Sequence, residues 1–137
     1  MTHKPKILMV DDDPDFTEAV SSYLEANGYL MLKASNGSEG LKLAKTERPD
    51  LVLIDVIMRE RTEGFFTVQE MRRTSELAGV PIFVLSSVYS QIPEFRIAPE
   101  AGWLAHDEFL SKPVNLTELL DKIRNALAES AAKETRL

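Results

Sequence analysis

Short apolar runs alternate with longer amphipathic segments along this chain, and that alternation restricts the fold more than any other feature. The runs are Ile7-Leu8-Met9-Val10, Tyr29-Leu30-Met31-Leu32, Leu51-Val52-Leu53-Ile54 and Ile82-Phe83-Val84-Leu85, with a weaker Phe109-Leu110. Each is too short for a core helix and is bounded by Pro, Gly, Asp or Asn, so each reads as a strand. Their continuity, with no polar alternation, predicts strands covered on both faces, as in a parallel sheet.

The segments between the runs read as helices. Asp13 stands where it caps the first, with Pro14 at the first helical position. Phe16, Val20, Tyr23 and Leu24 make one face of it, and Asn27-Gly28 supplies the stop. Asn115 caps the last helix, with Glu118 three residues on and Leu116, Leu119, Leu120, Ile123 and Leu127 at helical spacing. Residues 38–46 and 65–74 are expected helices of weaker periodicity, whereas Pro93 and Pro99 interrupt any long helix between Val88 and His106. Strand–helix alternation of this kind makes a doubly wound α/β domain with right-handed crossovers. At 137 residues, the whole of 1–137 is expected to be one domain with nothing attached.

Composition removes several function classes. There are 0 cysteines, which excludes a disulfide scaffold, thiolate zinc sites and thiol catalysis. A net charge of -6 argues against direct nucleic-acid binding, whose footprint is basic. No apolar run approaches the ~20 residues of a membrane span, and the first residues lead into too short an apolar stretch for a signal peptide. A cytoplasmic protein without a membrane partner is the expectation.

In an open α/β sheet, ligands bind beyond the carboxyl ends of the strands, near the point where strand order reverses. Asp11-Asp12-Asp13 follow the first run, Asp55 the third, Ser86-Ser87 the fourth and Ser111-Lys112-Pro113 the fifth; the second ends only in Ala34-Ser35-Asn36. Carboxylates, a hydroxyl and an ammonium thus converge on one sheet edge. Crowded carboxylates repel at neutral pH unless some protonate or a cation joins them. Mg²⁺ is the natural cation, because it accepts one or two carboxylates, keeps several waters and completes its shell with a phosphoryl oxygen. A carboxylate beside it can attack a phosphoryl group to give an aspartyl phosphate. Ser86 and Lys112 would then bind oxygens of the transferred group. Taken singly, each residue reads as a cap or turn residue, and Asp13 is such a cap. Their joint placement at four strand ends favours phosphoryl transfer onto aspartate.

At these residues the sequence resembles the receiver domain of bacterial two-component response regulators, from Lys6 to about Ala128. The resemblance rests on Ile7-Leu8-Met9-Val10-Asp11-Asp12-Asp13, Pro49-Asp50-Leu51-Val52-Leu53-Ile54-Asp55 with Met58 beyond, Pro81-Ile82-Phe83-Val84-Leu85-Ser86, and Phe109-Leu110-Ser111-Lys112-Pro113. It implies a flavodoxin-like, five-stranded parallel sheet in the order 2-1-3-4-5. It implies that Asp55 is the phosphoacceptor, served by a histidine kinase or a phosphotransfer protein. Asp12, Asp55 and the backbone carbonyl of Ile57 would hold Mg²⁺ directly, with Asp11 acting through water. Ser86 and Lys112 would bind the phosphoryl group, Lys112-Pro113 would be cis, and Phe109 would be the switch aromatic that moves with Ser86. Output would pass through contact with a protein target or a second copy of the chain, and the protein would not turn over a separate substrate beyond slow self-dephosphorylation. Two departures stand out. Arg59 replaces the Pro usual after the methionine, with Gly64 arriving late, and residues 86–112 are longer than usual, with Pro93, Arg96, Pro99, Trp103 and His106. The second departure implies a specialised output surface.

Other readings compete. A phosphohydrolase of the haloacid-dehalogenase type also uses Asp, a hydroxyl and Lys around Mg²⁺, and Asp11-Asp12-Asp13 contains its D-x-D. Its nucleophile would be Asp11, which leaves Asp55 without a role, and Pro14-Asp15-Phe16 continues that motif poorly. A receiver that binds a partner without being phosphorylated conflicts with the presence of all five site residues. A flavodoxin would bring its cofactor phosphate against Asp11, Asp12 and Asp13.

Overall fold

The apolar runs become strands because the chain lays helices against both of their faces. The structure is a computed structural model that describes residues 4–55, 63–86 and 107–135. The strands β1 (Lys6–Val10), β2 (Leu30–Ala34), β3 (Leu51–Ile54), β4 (Ile82–Ser86) and β5 (Glu108–Ser111) form one parallel sheet in the order β2-β1-β3-β4-β5. Around it run helices α1 (Pro14–Ala26), α2 (Gly37–Glu47), α3 (Glu63–Arg73) and α4 (Leu116–Thr135), with a 3-10 turn at Ser75–Leu77. Ile57, the Arg59 segment and the stretch 88–106, including Trp103 and His106, lie outside the described residues.

Caps set the helix ends. The Asp13 carboxylate accepts from the N–H groups of Asp15 at 3.1 Å and Phe16 at 3.2 Å, two donors that the first turn leaves without a helical partner. Gly28, at φ 97°, takes the left-handed conformation just beyond α1 that costs a side-chain-bearing residue most. Asn36 and Asn115 cap α2 and α4 in the same manner, accepting from Glu39 and Glu118. The strand β2 starts one residue later than its apolar run and continues through Lys33 and Ala34, because pairing with β1 (Lys6↔Leu30 to Val10↔Ala34) sets its length.

Successive residues of each strand serve opposite layers. Ile7, Met9, Leu51, Leu53, Phe83 and Leu85 pack with Val20 and Leu24 of α1 and Leu119, Leu120 and Ile123 of α4. Leu8, Val10, Val52, Ile54, Ile82 and Val84 pack with Ala44 of α2, Val68 and Met71 of α3, and Leu77. Both faces are therefore apolar, which is why the runs show no alternation. Full burial of each such side chain is worth about 1.5–3 kcal/mol, so neither layer is dispensable.

Helix α2 lies unusually close to the sheet at Gly40. A Cβ built there would stand 2.7 Å from Cγ2 of Val10 and 3.1 Å from its Cγ1, and Val10 is fully buried. Alanine in mid-helix normally gains about 1 kcal/mol over glycine. Here that gain is opposed by an overpacking cost of about 1–3 kcal/mol. Gly40→Ala is expected to lower stability by roughly 1 kcal/mol, and urea unfolding that shows a stabilised variant would contradict the close approach.

A buried ion pair ties α3 to the opposite end of the sheet from the carboxylates. Arg72 in the last turn of α3 donates through Nη2 to Oδ2 and Oδ1 of Asp107, at 2.6 and 2.8 Å, and through Nη1 to the Val80 carbonyl at 2.8 Å. Asp107 Oδ1 also accepts from the Ile82 N–H at 2.7 Å. The side chains are only 8% and 1% exposed, so the start of β4, the start of β5 and the end of α3 share one dry junction.

Candidate functional site

Register brings the acids together. Val10 pairs with Ile54, so Asp11 and Asp55, each the next residue, stand side by side where β1 and β3 end. The Asp55 N–H donates to the Val10 carbonyl at 3.0 Å, and the Asp11 N–H to the Ala34 carbonyl at 3.1 Å. From β1 the chain winds outward through β2 on one side and β3 on the other, and the crevice at such a reversal is where an open sheet binds its ligands. On the far side, Ser86 pairs with Ser111, so Lys112 leaves β5 beside the end of β4. Leu110 packs into the layer of α1 and α4. Lys112, two residues on, returns to that same face, as Asp11 and Asp55 do two residues beyond Met9 and Leu53.

The result is a compact charged centre. Lys112 Nζ donates to Asp11 Oδ2 at 2.8 Å and to Asp55 Oδ2 at 3.1 Å. The other Asp11 oxygen, Oδ1, accepts from the Asp13 N–H at 2.9 Å. Asp11 and Asp55 are buried, and Asp12 is half-buried beside them. Burial works to lower the pKa of Lys112, but its hydrogen bond to Asp11 and the charges of Asp55 and Asp11 outweigh it, so the ammonium lies above the usual lysine value. Lys112 is therefore a fixed positive charge across the physiological range. The Lys112-Pro113 peptide is cis.

Metal-binding capacity follows from the donor set. Asp11, Asp12 and Asp55 each offer a carboxylate oxygen, and these atoms lie within 4.8 Å of one another. Hard oxygen donors, few in number and next to an open cleft, suit Mg²⁺ or a like divalent ion that keeps waters in its shell. That cleft, of about 490 Å³, runs from Asp11 and Asp12 past Pro14, Thr17 and Lys33 to Ser35 and Glu39.

The structure brings Asp11, Asp12, Asp55 and Lys112 to one point. It sets Ser86 at the last position of β4 and Phe109 in β5 opposite Val84. Ile57 lies outside the described residues. Sequence reasoning assigned Phe16 only to the apolar face of α1, yet its ring centroid lies 4.3 Å from Lys112 Nζ. The available signal was its position three residues after the Asp13 cap, in the first turn of the helix that follows the acids. The Arg72–Asp107 junction had no local signal at all, because the partners are separated by 35 positions.

The model of the response regulator receiver domain family matches residues 7–124. The DNA-binding dual master transcriptional regulator RpaA of Synechocystis is 34% identical over 123 residues, covering 90% of this chain and 49% of that protein. Protein PilH of Pseudomonas aeruginosa is 30% identical over 123 residues, covering 90% of this chain and 98% of that one. The chain thus spans about half the length of the first relative and nearly all of the second. Among solved structures, the chemotaxis response regulator CheY4 of Vibrio cholerae has a TM-score of 0.78 at 29% identity, over 90% of this chain and 98% of that one.

Proposed function

The chain belongs to the response regulator receiver domain family, and from that premise we propose that it is a phosphorylation switch with Asp55 as the acceptor of the phosphoryl group. The donor is a histidine kinase or a phosphotransfer protein. The observation that carries this reading is the shared ammonium: Lys112 bridges the buried carboxylates of Asp11 and Asp55 at 2.8 and 3.1 Å.

Each residue then has a task. An oxygen of Asp55 forms the new bond to phosphorus as the bond to the donor's leaving atom breaks. The ammonium of Lys112 and the hydroxyl of Ser86 take the oxygens of the arriving group. Asp12, Asp55 and the carbonyl of Ile57 would hold Mg²⁺, with Asp11 behind them through water. Bound there, the ion supplies positive charge to the phosphoryl oxygens. The engagement of both Asp11 oxygens, by Asp13 and by Lys112, supports its indirect role and disfavours Asp11 as a phosphohydrolase nucleophile. Phe109 is the switch aromatic. The output is contact with a protein target or a second copy of the chain, without turnover of a separate substrate beyond slow self-dephosphorylation and without direct nucleic-acid binding. No helix among the described residues is long and apolar enough to cross a membrane.

Intact-mass spectrometry after incubation with acetyl phosphate tests the proposal. A single adduct that forms in Mg²⁺ and fails to form after chelation is the expected result. Donor hydrolysis that depends on Asp11 and survives Asp55→Ala would replace the switch by a phosphohydrolase. Asp12→Ala is expected to weaken Mg²⁺ binding by roughly tenfold or more, since even outer ligands of metal sites carry that much; calorimetric titration with an unchanged affinity would remove Asp12 from the site.

A further inference from the structure

We propose that Phe16 is a positioning residue for Lys112, holding the ammonium against its ring face in line with the phosphoryl group. This rests on the reading of Asp55 as phosphoacceptor.

The contact closes a ring of interactions. Asp11 Oδ1 accepts from the Asp13 N–H at 2.9 Å, and the Asp13 carboxylate accepts from the Phe16 N–H at 3.2 Å. The Phe16 ring centroid lies 4.3 Å from Lys112 Nζ, and Lys112 donates back to Asp11 Oδ2 at 2.8 Å. Asp13 therefore does more than cap α1: it aligns the aromatic with the acid that the same lysine binds. Phe16 is itself half-buried and packs against the core layer of α1 and α4, so the ring is not free to swing away.

Chemistry gives this seat a purpose. A lysine ammonium has three N–H donors on a flexible stem. Two of them are taken by Asp11 and Asp55. An aromatic face attracts the cation through its quadrupole, excludes water from that side and offers no acceptor oxygen. It therefore holds the ammonium without competing for the donor that a phosphoryl oxygen needs. A carboxylate or carbonyl in its place would bind that donor, and an aliphatic chain would exert no attraction on the ammonium from that side.

Phe16→Leu, Phe16→Tyr and Phe16→Trp, each alone and in the Lys112→Ala background, are compared for the rate of phosphorylation by acetyl phosphate in Mg²⁺. Phe16→Leu is expected to slow the reaction about tenfold, a desolvated cation–π contact read as rate, while Tyr and Trp restore most of it. In the Lys112→Ala background, Phe16→Leu should slow the reaction no further. An independent signature is the upfield ring-current shift of the Lys112 ε-methylene protons, present in wild type and lost in Phe16→Leu. Equal rates in Leu and wild type, equally slow Leu, Tyr and Trp variants, or full slowing without Lys112 each overturn the inference. A wild type that takes up no phosphoryl group overturns the functional reading, and this inference with it; a phosphorylated wild type beside an unaffected Phe16→Leu overturns the inference alone.

Discussion

Asp55→Ala is expected to take up no phosphoryl group from acetyl phosphate in Mg²⁺, under conditions in which the wild type gains one. The variant removes the carboxylate that would form the bond to phosphorus, and the acids beside it have other tasks. Both Asp11 oxygens are engaged, one by the Asp13 N–H and one by Lys112. Asp12, half-buried beside them, is given to the ion instead. The fold should survive the change. The Asp55 N–H, not its side chain, makes the bond to Val10, and Lys112 keeps Asp11 at 2.8 Å. Removing one acid from a crowded set also relieves repulsion. Loss of the adduct with an unchanged melting curve is therefore the expected pair of observations. A persistent single adduct on Asp55→Ala would move the acceptor elsewhere and sink the assignment.

The largest expected loss of stability belongs to Arg72. Arg72→Met keeps much of the stem's packing but leaves the Asp107 carboxylate, its side chain 1% exposed, as a buried charge without its guanidinium. Breaking such a pair from one side costs about 3–5 kcal/mol, a large share of the 5–15 kcal/mol typical of a native domain. For a chain of this length that is a fall in melting temperature on the order of 10–20 °C. Arg72→Met combined with Asp107→Asn should recover much of the loss, because no charge is then stranded and the Asn oxygen can still accept from the Ile82 N–H. A cost below about 1 kcal/mol for Arg72→Met would place the pair among ordinary surface bridges.

The parallel α/β architecture was legible because its signal is local. Runs such as Leu51–Ile54 have no polar residue, and the caps Asp13 and Asn115 sit next to the turns they satisfy. The converging acids and Lys112 were legible for a related reason: each directly follows a strand, and the topology does the rest. The Phe16 contact was only half legible, since its backbone position follows from the cap while its partner lies across the sheet. Arg72 and Asp107 were not legible. Each is an unremarkable charged residue in its own segment, and only the packing of α3 against the start of β5 makes them one unit.

Because each strand alternates between two helical layers, position along it works as a phase. Met9, Leu53 and Leu110 share one phase, and Asp11, Asp55 and Lys112 inherit it. Adding a single residue inside β1, β3 or β5 would barely alter the composition of the chain. It would nonetheless turn one of those three charges toward the opposite layer and hand its place to an apolar or hydroxyl neighbour. The site is thus written in frame as much as in residue identity, and loops can vary in length where strands cannot.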